Sequence, residues 1–191
     1  MVGHMTRPRK ERAAEAAVEV IAEGGLRALT HRAVDARAGL PPGSTSSCYR
    51  TRLALLRAAL DRIAELDEAA LAGFSFPAGD AEAAEEALTG LLEYWTGPAR
   101  ERTRARMELY LDAARTPELR PHLERASLRF LHRARDGLAA AGIPEPEAAA
   151  RLLIAQLDGV VFDAVARPFY GPADRAWLRG AASAALASLR L

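Results

Sequence analysis

Ser44, Thr45, Ser46, Ser47 and Cys48 stand together in THRAVDARAGLPPGSTSSCYRTR, residues 30–52, with Arg32, Arg50 and Arg52 close on either side. Hydroxyls bond phosphate oxygens or base edges, and guanidinium groups hold phosphates in forked pairs. Together they suit a nucleic-acid contact. A solvated loop with a capped turn would also be polar, but it gives no reason for the basic residues crowded around it. Catalysis has less support. His4, His31, His122 and His132 lack zinc spacing such as HExxH, and Cys48 alone cannot build a thiolate site. No GxxxxGK[ST] loop is present, and the only lysine, Lys10, lies near the N-terminus. The expectation is a binding protein with no catalytic residue, no cofactor and no metal. The position of Cys48 on the same polar stretch leaves redox sensing open.

The charge distribution sharpens this. The net charge is +1, yet Met5–Leu60 holds ten basic and five acidic residues, +5, which leaves −4 for the rest. A basic N-terminal third on a mildly acidic body fits a polyanion-binding module joined to something else. A solvated helix face would give the same count, so charge alone does not decide. With 191 residues, 50% of them hydrophobic and only 6% aromatic, the chain can build a core of closely packed Ala- and Leu-rich helices. One cysteine excludes an intrachain disulfide, no apolar run reaches a membrane span, and no secretory signal opens the chain. A cytoplasmic protein is therefore expected. MVGHM leaves open whether Met5 is the natural start and residues 1–4 an expression scar.

The elements that position the polar stretch read at helical period throughout. Ala13, Ala17, Val20 and Ile21 fall on one face of a helix from Arg9 to Glu23, ended by Gly24-Gly25. Thr30 caps a short second helix, His31 to Ala38, which Gly39 stops. Pro41-Pro42 marks a new start, and a third helix of about two turns runs to Tyr49. Within it Thr45 and Tyr49, four apart, turn inward. A fourth helix runs from Arg52 to about Phe74, and FSFPAGD, residues 74–80, breaks the pattern. Further helices are expected at about 81–96, 99–114, 118–140, 146–166 and 173–189. The fold class is all-α, about nine helices, with a head over residues 5–52 and a larger bundle over 53–191 that the helix 53–74 connects to it.

A longer helix followed by two short ones across a glycine turn is a helix-turn-helix, whose second short helix enters the major groove. The segment from Lys10 to Leu60 resembles the DNA-binding domain of the TetR family of bacterial transcriptional regulators. The resemblance lies in AAVEVIAEGGLRALTHRAVDARAGL and PPGSTSSCYRTRLALL, with the family's turn glycine at Gly39, its second glycine at Gly43, the ring at Tyr49 and the basic residue at Arg52. It implies that Thr30 caps and touches phosphate and that Arg32 reaches the groove or the adjacent backbone. Pro42, Gly43, Ser44, Ser46 and Ser47 would line the major groove, and Arg52 would hold a phosphate. Arg7, Arg9 and Lys10 would serve as an arm. The chain departs from the family at Ser46 and Ser47, where a ring is usual, at Cys48, where His or Tyr is usual, and at Pro41, where a Ser/Thr cap is usual. Specificity then rests more on Arg32 and on DNA shape.

For the remaining chain the resemblance implies a palindromic operator, a homodimer and a small organic effector that releases DNA. Candidate effector contacts are Tyr94, Trp95, Met107, Tyr110, Phe130 and Phe162, with Gln156 and Asp158 as polar groups on an apolar helix. AARLLIAQLDGVVFDAVA and RGAASAALASL offer Leu153, Leu157, Val160, Val161, Ala181 and Ala184 to a dimer interface. Burial within one subunit would produce the same pattern. A second reading also stays open, an α-helical ligand-binding or interaction protein whose helix-turn-helix no longer binds DNA. Random duplex DNA at low salt separates the two.

Overall fold

A computed structural model describes residues 8–74, 77 and 79–189. Among them are nine α-helices and no strand: α1 (Arg9–Ala28), α2 (His31–Ala38), α3 (Ser44–Cys48), α4 (Arg52–Leu71), α5 (Ala81–Thr96), α6 (Arg100–Arg115), α7 (Arg120–Ala140), α8 (Pro146–Ala166) and α9 (Arg175–Ala187), with a 3₁₀ turn at Pro168–Tyr170. Gly25, at φ 71° and ψ 179°, interrupts α1 where the paired glycines were expected to end it. The third helix is shorter than expected. Pro41-Pro42 does not open it; Gly43, left-handed at φ 87°, stands at its N-cap and five residues follow. Arg7 and residues 1–4 lie outside the described residues, as do Ser75, Phe76 and Ala78 of the expected break.

The chain packs as two compact units. The first runs through Asp67 and takes up Glu101–Ala126. In it α2 and α3 pack on α1. Small side chains make this possible: Ala13, Ala17 and Ala59 are fully buried and let helix backbones approach, while Ile21, Leu29, Val34, Leu55 and Ile63 fill the space between. Ala105 and Leu109 of α6 and Leu119 enter the same core. Packing therefore does not follow the expected division at residues 52 and 53, because most of α4 and a later piece of the chain share the head's core.

Asp67, 8% exposed, draws two arginines from successive turns of α6. Arg102 Nε lies 3.2 Å from one carboxylate oxygen and Arg106 Nη1 3.0 Å from the other. Positions four apart on a helix face the same way, which is why one carboxylate serves both. Removing the shared carboxylate takes a close counter-charge from two largely buried guanidinium groups.

The second unit comprises Glu68–Arg100 and Ser127–Leu191. Here α5 packs against α8 and α9, around Leu88, Leu92, Trp95, Leu153, Leu157, Val161, Leu178 and Ala182. Its rim is ionic. Arg175 of α9 pairs with Glu86 and Glu93 of α5, and Arg179 Nε with Glu85 at 2.6 Å. Arg100 donates to the carbonyls of Ala164 and Val165, at 3.1 and 3.2 Å, and so closes the C-terminal end of α8. These two kinds of ion pair differ in burial, and the difference is measurable. Asp67→Ala is expected to cost about 3 kcal/mol in thermal or denaturant unfolding. Asp136→Ala, which removes one of two exposed partners of Arg135, is expected to cost less than about 1 kcal/mol.

Candidate nucleic-acid interface and ligand cavity

The polar stretch is held from below by a residue its sequence does not advertise. Asp35, on the inner side of α2 and 5% exposed, accepts from Gly43 N at 2.8 Å with one oxygen. Its other oxygen accepts from Thr45 N at 2.7 Å and Thr45 Oγ1 at 2.6 Å. The carboxylate thus caps the first turn of α3, where unpaired N–H groups and the positive end of the helix dipole favour an anion. Burial raises the Asp35 carboxyl, but the Thr45 hydroxyl, the N–H groups of Thr45 and Gly43, and nearby His31 together bring it below its ordinary value. Gly43 is needed twice, for its left-handed φ of 87° and for its N–H.

The rest of the frame is equally local. Thr30 Oγ1 accepts from Ala33 N at 3.1 Å, capping α2. Gly39, at φ 60°, ends it, and Arg12 Nη2 donates to the Ala38 carbonyl at 2.7 Å. His31 Nε2 donates to the Tyr49 carbonyl at 2.6 Å, and Tyr49 OH donates to the Lys10 carbonyl at 3.1 Å. Burial pushes the Tyr49 phenol up to about 12, so it stays neutral and a donor across the physiological range. Thr45 and Tyr49 are both buried, as their spacing indicated.

This frame leaves a defined outer surface. Pro42, Gly43, Ser46 and Ser47 are exposed and Ser44 is half-buried, with Thr30, Arg32, Arg50 and Arg52 exposed around them. Ser46 Oγ donates to the Gly43 carbonyl at 2.9 Å and Ser47 Oγ to the Ser44 carbonyl at 2.7 Å. Both hydroxyl hydrogens are thus occupied, and the groups face outward as acceptors, suited to the amino groups of adenine or cytosine. Arg52 is partly anchored: its Nη2 donates to the Leu26 carbonyl, while Glu108 Oε2 accepts from Leu26 N at 3.0 Å. The turn after Gly25 is therefore gripped from α4 and from α6. Asp35 and Glu108 were not among the sequence candidates. The signal for Asp35 was faint, the one acidic residue on a short basic helix, eight before Gly43.

The second unit contains a cavity of about 260 Å³. Leu71 and Phe74, Leu88 and Leu91 of α5, Phe130, Arg133, Ala134, Gly137 and Ala140 of α7, and Leu153, Ile154 and Leu157 of α8 line it. Of the expected effector contacts only Phe130 is on this wall. Trp95 is buried behind it, its ring centroid 5.8 Å from that of Phe130. Met107 and Tyr110 lie on α6 in the other unit, and Tyr110 packs against that unit's core. Gln156 Nε2 donates to Ser188 Oγ at 3.0 Å, Asp158 is exposed, and Phe162, 44% exposed, lies beside Arg167. The residues expected at a dimer interface divide likewise. Leu153, Leu157 and Val161 are buried inside their own unit, two of them on the cavity wall. Val160 and Ala181 are half-buried and Ala184 is exposed. A helix apolar on nearly every side gives no periodicity from which to tell inside from interface. Among the described residues, no group of three or more His, Cys, Asp or Glu could hold a metal ion, and no helix is long and apolar enough to cross a membrane.

A family model described as "Tetracyclin repressor-like, C-terminal domain" matches residues 79–190. No curated protein matches the chain. Among solved structures, a transcriptional regulator from Rhodococcus sp. Rha1 is 27% identical, with 94% of this chain and 95% of that one covered and a TM-score of 0.78. The multidrug binding protein EbrR complexed with ethidium is 31% identical, with 93% of this chain and 98% of that one covered and a TM-score of 0.69. EbrR complexed with imidazole gives 31%, 94%, 95% and 0.67.

The Asp35 cap carries its own test. An amide at this position keeps one acceptor but turns an NH₂ toward a donor, so Asp35→Asn is expected to cost about 1–3 kcal/mol at neutral pH. The carboxyl is lowered in the folded state, so its contribution is full above the ordinary carboxylate range. It is lost as pH falls below about 4 and through the depressed value. Melting curves from pH 7 down to pH 3 should show wild type and Asp35→Asn converging; a constant gap would contradict the assignment.

Proposed function

The chain belongs to the TetR family of transcriptional regulators, and from that premise we propose that it is a repressor, a homodimer that binds a palindromic operator and releases it when a small organic effector fills the cavity. The observation that carries this reading is the outer face fixed by Asp35: small residues at Pro42, Gly43, Ser44, Ser46 and Ser47 with arginines around them. Small side chains let the backbone of α3 come close to the major groove, and the serine oxygens accept from base amino groups. Arg32 reads a base or the neighbouring backbone. Thr30 and Arg52 hold phosphates, Arg52 through the guanidinium N–H groups that Leu26 does not occupy, and Arg9 and Lys10 act as an arm. The protein acts in the cytoplasm, by binding and not by catalysis.

Support for the effector comes from the apolar cavity with one charged residue on its wall, and from EbrR, which has been solved with ethidium. An effector releases DNA only by favouring an arrangement of the reading heads that DNA does not. The element suited to link the two events is α4. It opens at Arg52, beside the reading face, and ends at Leu71, on the cavity wall. By linkage, operator must weaken effector binding by the factor with which effector weakens operator binding.

The homodimer is supported by the outer sides of α8 and α9. Phe162 and Trp177 are 44% and 40% exposed there, and Val160, Ala181 and Ala184 are small or half-buried neighbours along the same helices. Val160→Glu together with Ala184→Glu should convert a dimer to a monomer in analytical ultracentrifugation. A monomeric wild type at micromolar concentration would remove this part of the reading. On DNA, Arg52→Ala should weaken binding to operator and random duplex alike and lower the salt slope by about 1. Arg32→Ala should cost about 1–3 kcal/mol on operator only. Fluorescence anisotropy against both duplexes measures this, and an equal loss for Arg32→Ala on the two would make it a backbone contact.

A further inference from the structure

The cavity wall has a chemical bias. Among the described residues that line it, Arg133 alone is charged and none is acidic. The arginines on either side of it along α7 have carboxylate partners: Arg129 Nε lies 2.6 Å from Glu68 and Arg135 Nη2 2.8 Å from Asp136. Arg133 has neutral partners instead. Its Nη2 donates to the carbonyl of Leu71, the last residue of α4, and at 3.1 Å to that of Phe74. The guanidinium carries five N–H donors in a fork, so most remain for a ligand. A carboxylate is a stronger acceptor for them than a peptide carbonyl and can take two at once. Arg133 is itself exposed, so the charged end of such a ligand would keep water on one side and avoid full desolvation. The remaining walls are Leu, Ile, Phe, Ala and Gly. An apolar cavity of about 150 Å³ accommodates benzene, so about 260 Å³ takes a medium-length acyl chain or a two-ring body.

We infer that the ligand of this cavity is an apolar molecule ending in a carboxylate, held by Arg133 at the mouth in competition with the carbonyls of Leu71 and Phe74. This rests on the reading of the cavity as the effector site and names the class of ligand that reading leaves unspecified. A cationic ligand of the same shape meets an arginine and no acidic side chain among the described lining residues. A neutral one gains only the apolar walls.

Three probes with the same chain, decanoate, 1-decanol and decyltrimethylammonium, separate these cases by calorimetry on the full-length protein at pH 7. Decanoate is expected to bind at least about tenfold more tightly than decanol, with the ammonium weakest. Arg133→Gln should bring decanoate to the level of decanol, and Arg133→Lys should keep most of the preference. Equal binding of decanoate and decanol, tighter binding of the ammonium, or a preference that survives Arg133→Gln would overturn the inference. Leu153→Trp, which fills the cavity, identifies which statement has failed. If it blocks probes that bind wild type without regard to charge, the cavity stands as a ligand site and only the carboxylate assignment falls. If no probe binds, or binding survives Leu153→Trp, the effector-site reading falls and takes the carboxylate assignment with it.

Discussion

Everything the outer face of α3 can do depends on the Asp35 carboxylate. A helix of five residues cannot hold itself together in water, since nucleation is unfavourable and isolated helices below about 12–15 residues are marginal. The position of α3 is therefore borrowed. Asp35 takes the Gly43 and Thr45 N–H groups and the Thr45 hydroxyl, and so fixes both the start of α3 and its rotation. That rotation turns Thr45 inward and Ser46 and Ser47 outward. The anchor works because α2 is itself over-determined, by the Thr30 cap, the left-handed Gly39, the Arg12 grip on its last carbonyl and the bond from His31 to Tyr49. A buried anion would be a liability if it were bare. Three donors within 2.8 Å spread its charge into the turn.

The two units are held together by different physics. The head is held by directional polar bonds around alanine-rich contacts. The second unit encloses a cavity walled mainly by leucines, phenylalanines and other apolar residues, while ion pairs tie α5 to α9 at its rim. Arg133 is the exception on that wall. Its Nη2 donates to the carbonyls of Leu71, the last residue of α4, and of Phe74.

How much of this was legible in the sequence follows from the range of the forces involved. Helix ends set by a single residue were readable: Thr30 as cap, Gly39 as stop, the break at Gly25. The inward turn of Thr45 and Tyr49 was readable because both lie on one short segment. The start of α3 was not, since it is set by Asp35 from another helix and not by Pro41-Pro42. Nor was the grip of Glu108 on Leu26, which spans 82 positions. The expected effector contacts divide between the two units for a related reason. Met107 and Tyr110 had the right chemistry, but α6 joins the head's core, a pairing that no local pattern reveals. Leu153, Leu157 and Val161 lie on a helix whose composition is apolar all round, where interface and interior look alike and only the packed neighbours decide which side is inside.

The central claim is that the face fixed by Asp35 reads duplex DNA in pairs. Selection of duplexes from a random pool by the full-length chain, followed by sequencing of what is retained, tests it most directly. The account predicts enrichment of an inverted repeat whose half-sites are centred about 34–36 Å apart, or a multiple of that spacing. Retention of no duplex at low salt, or retention without any enriched sequence, would contradict it.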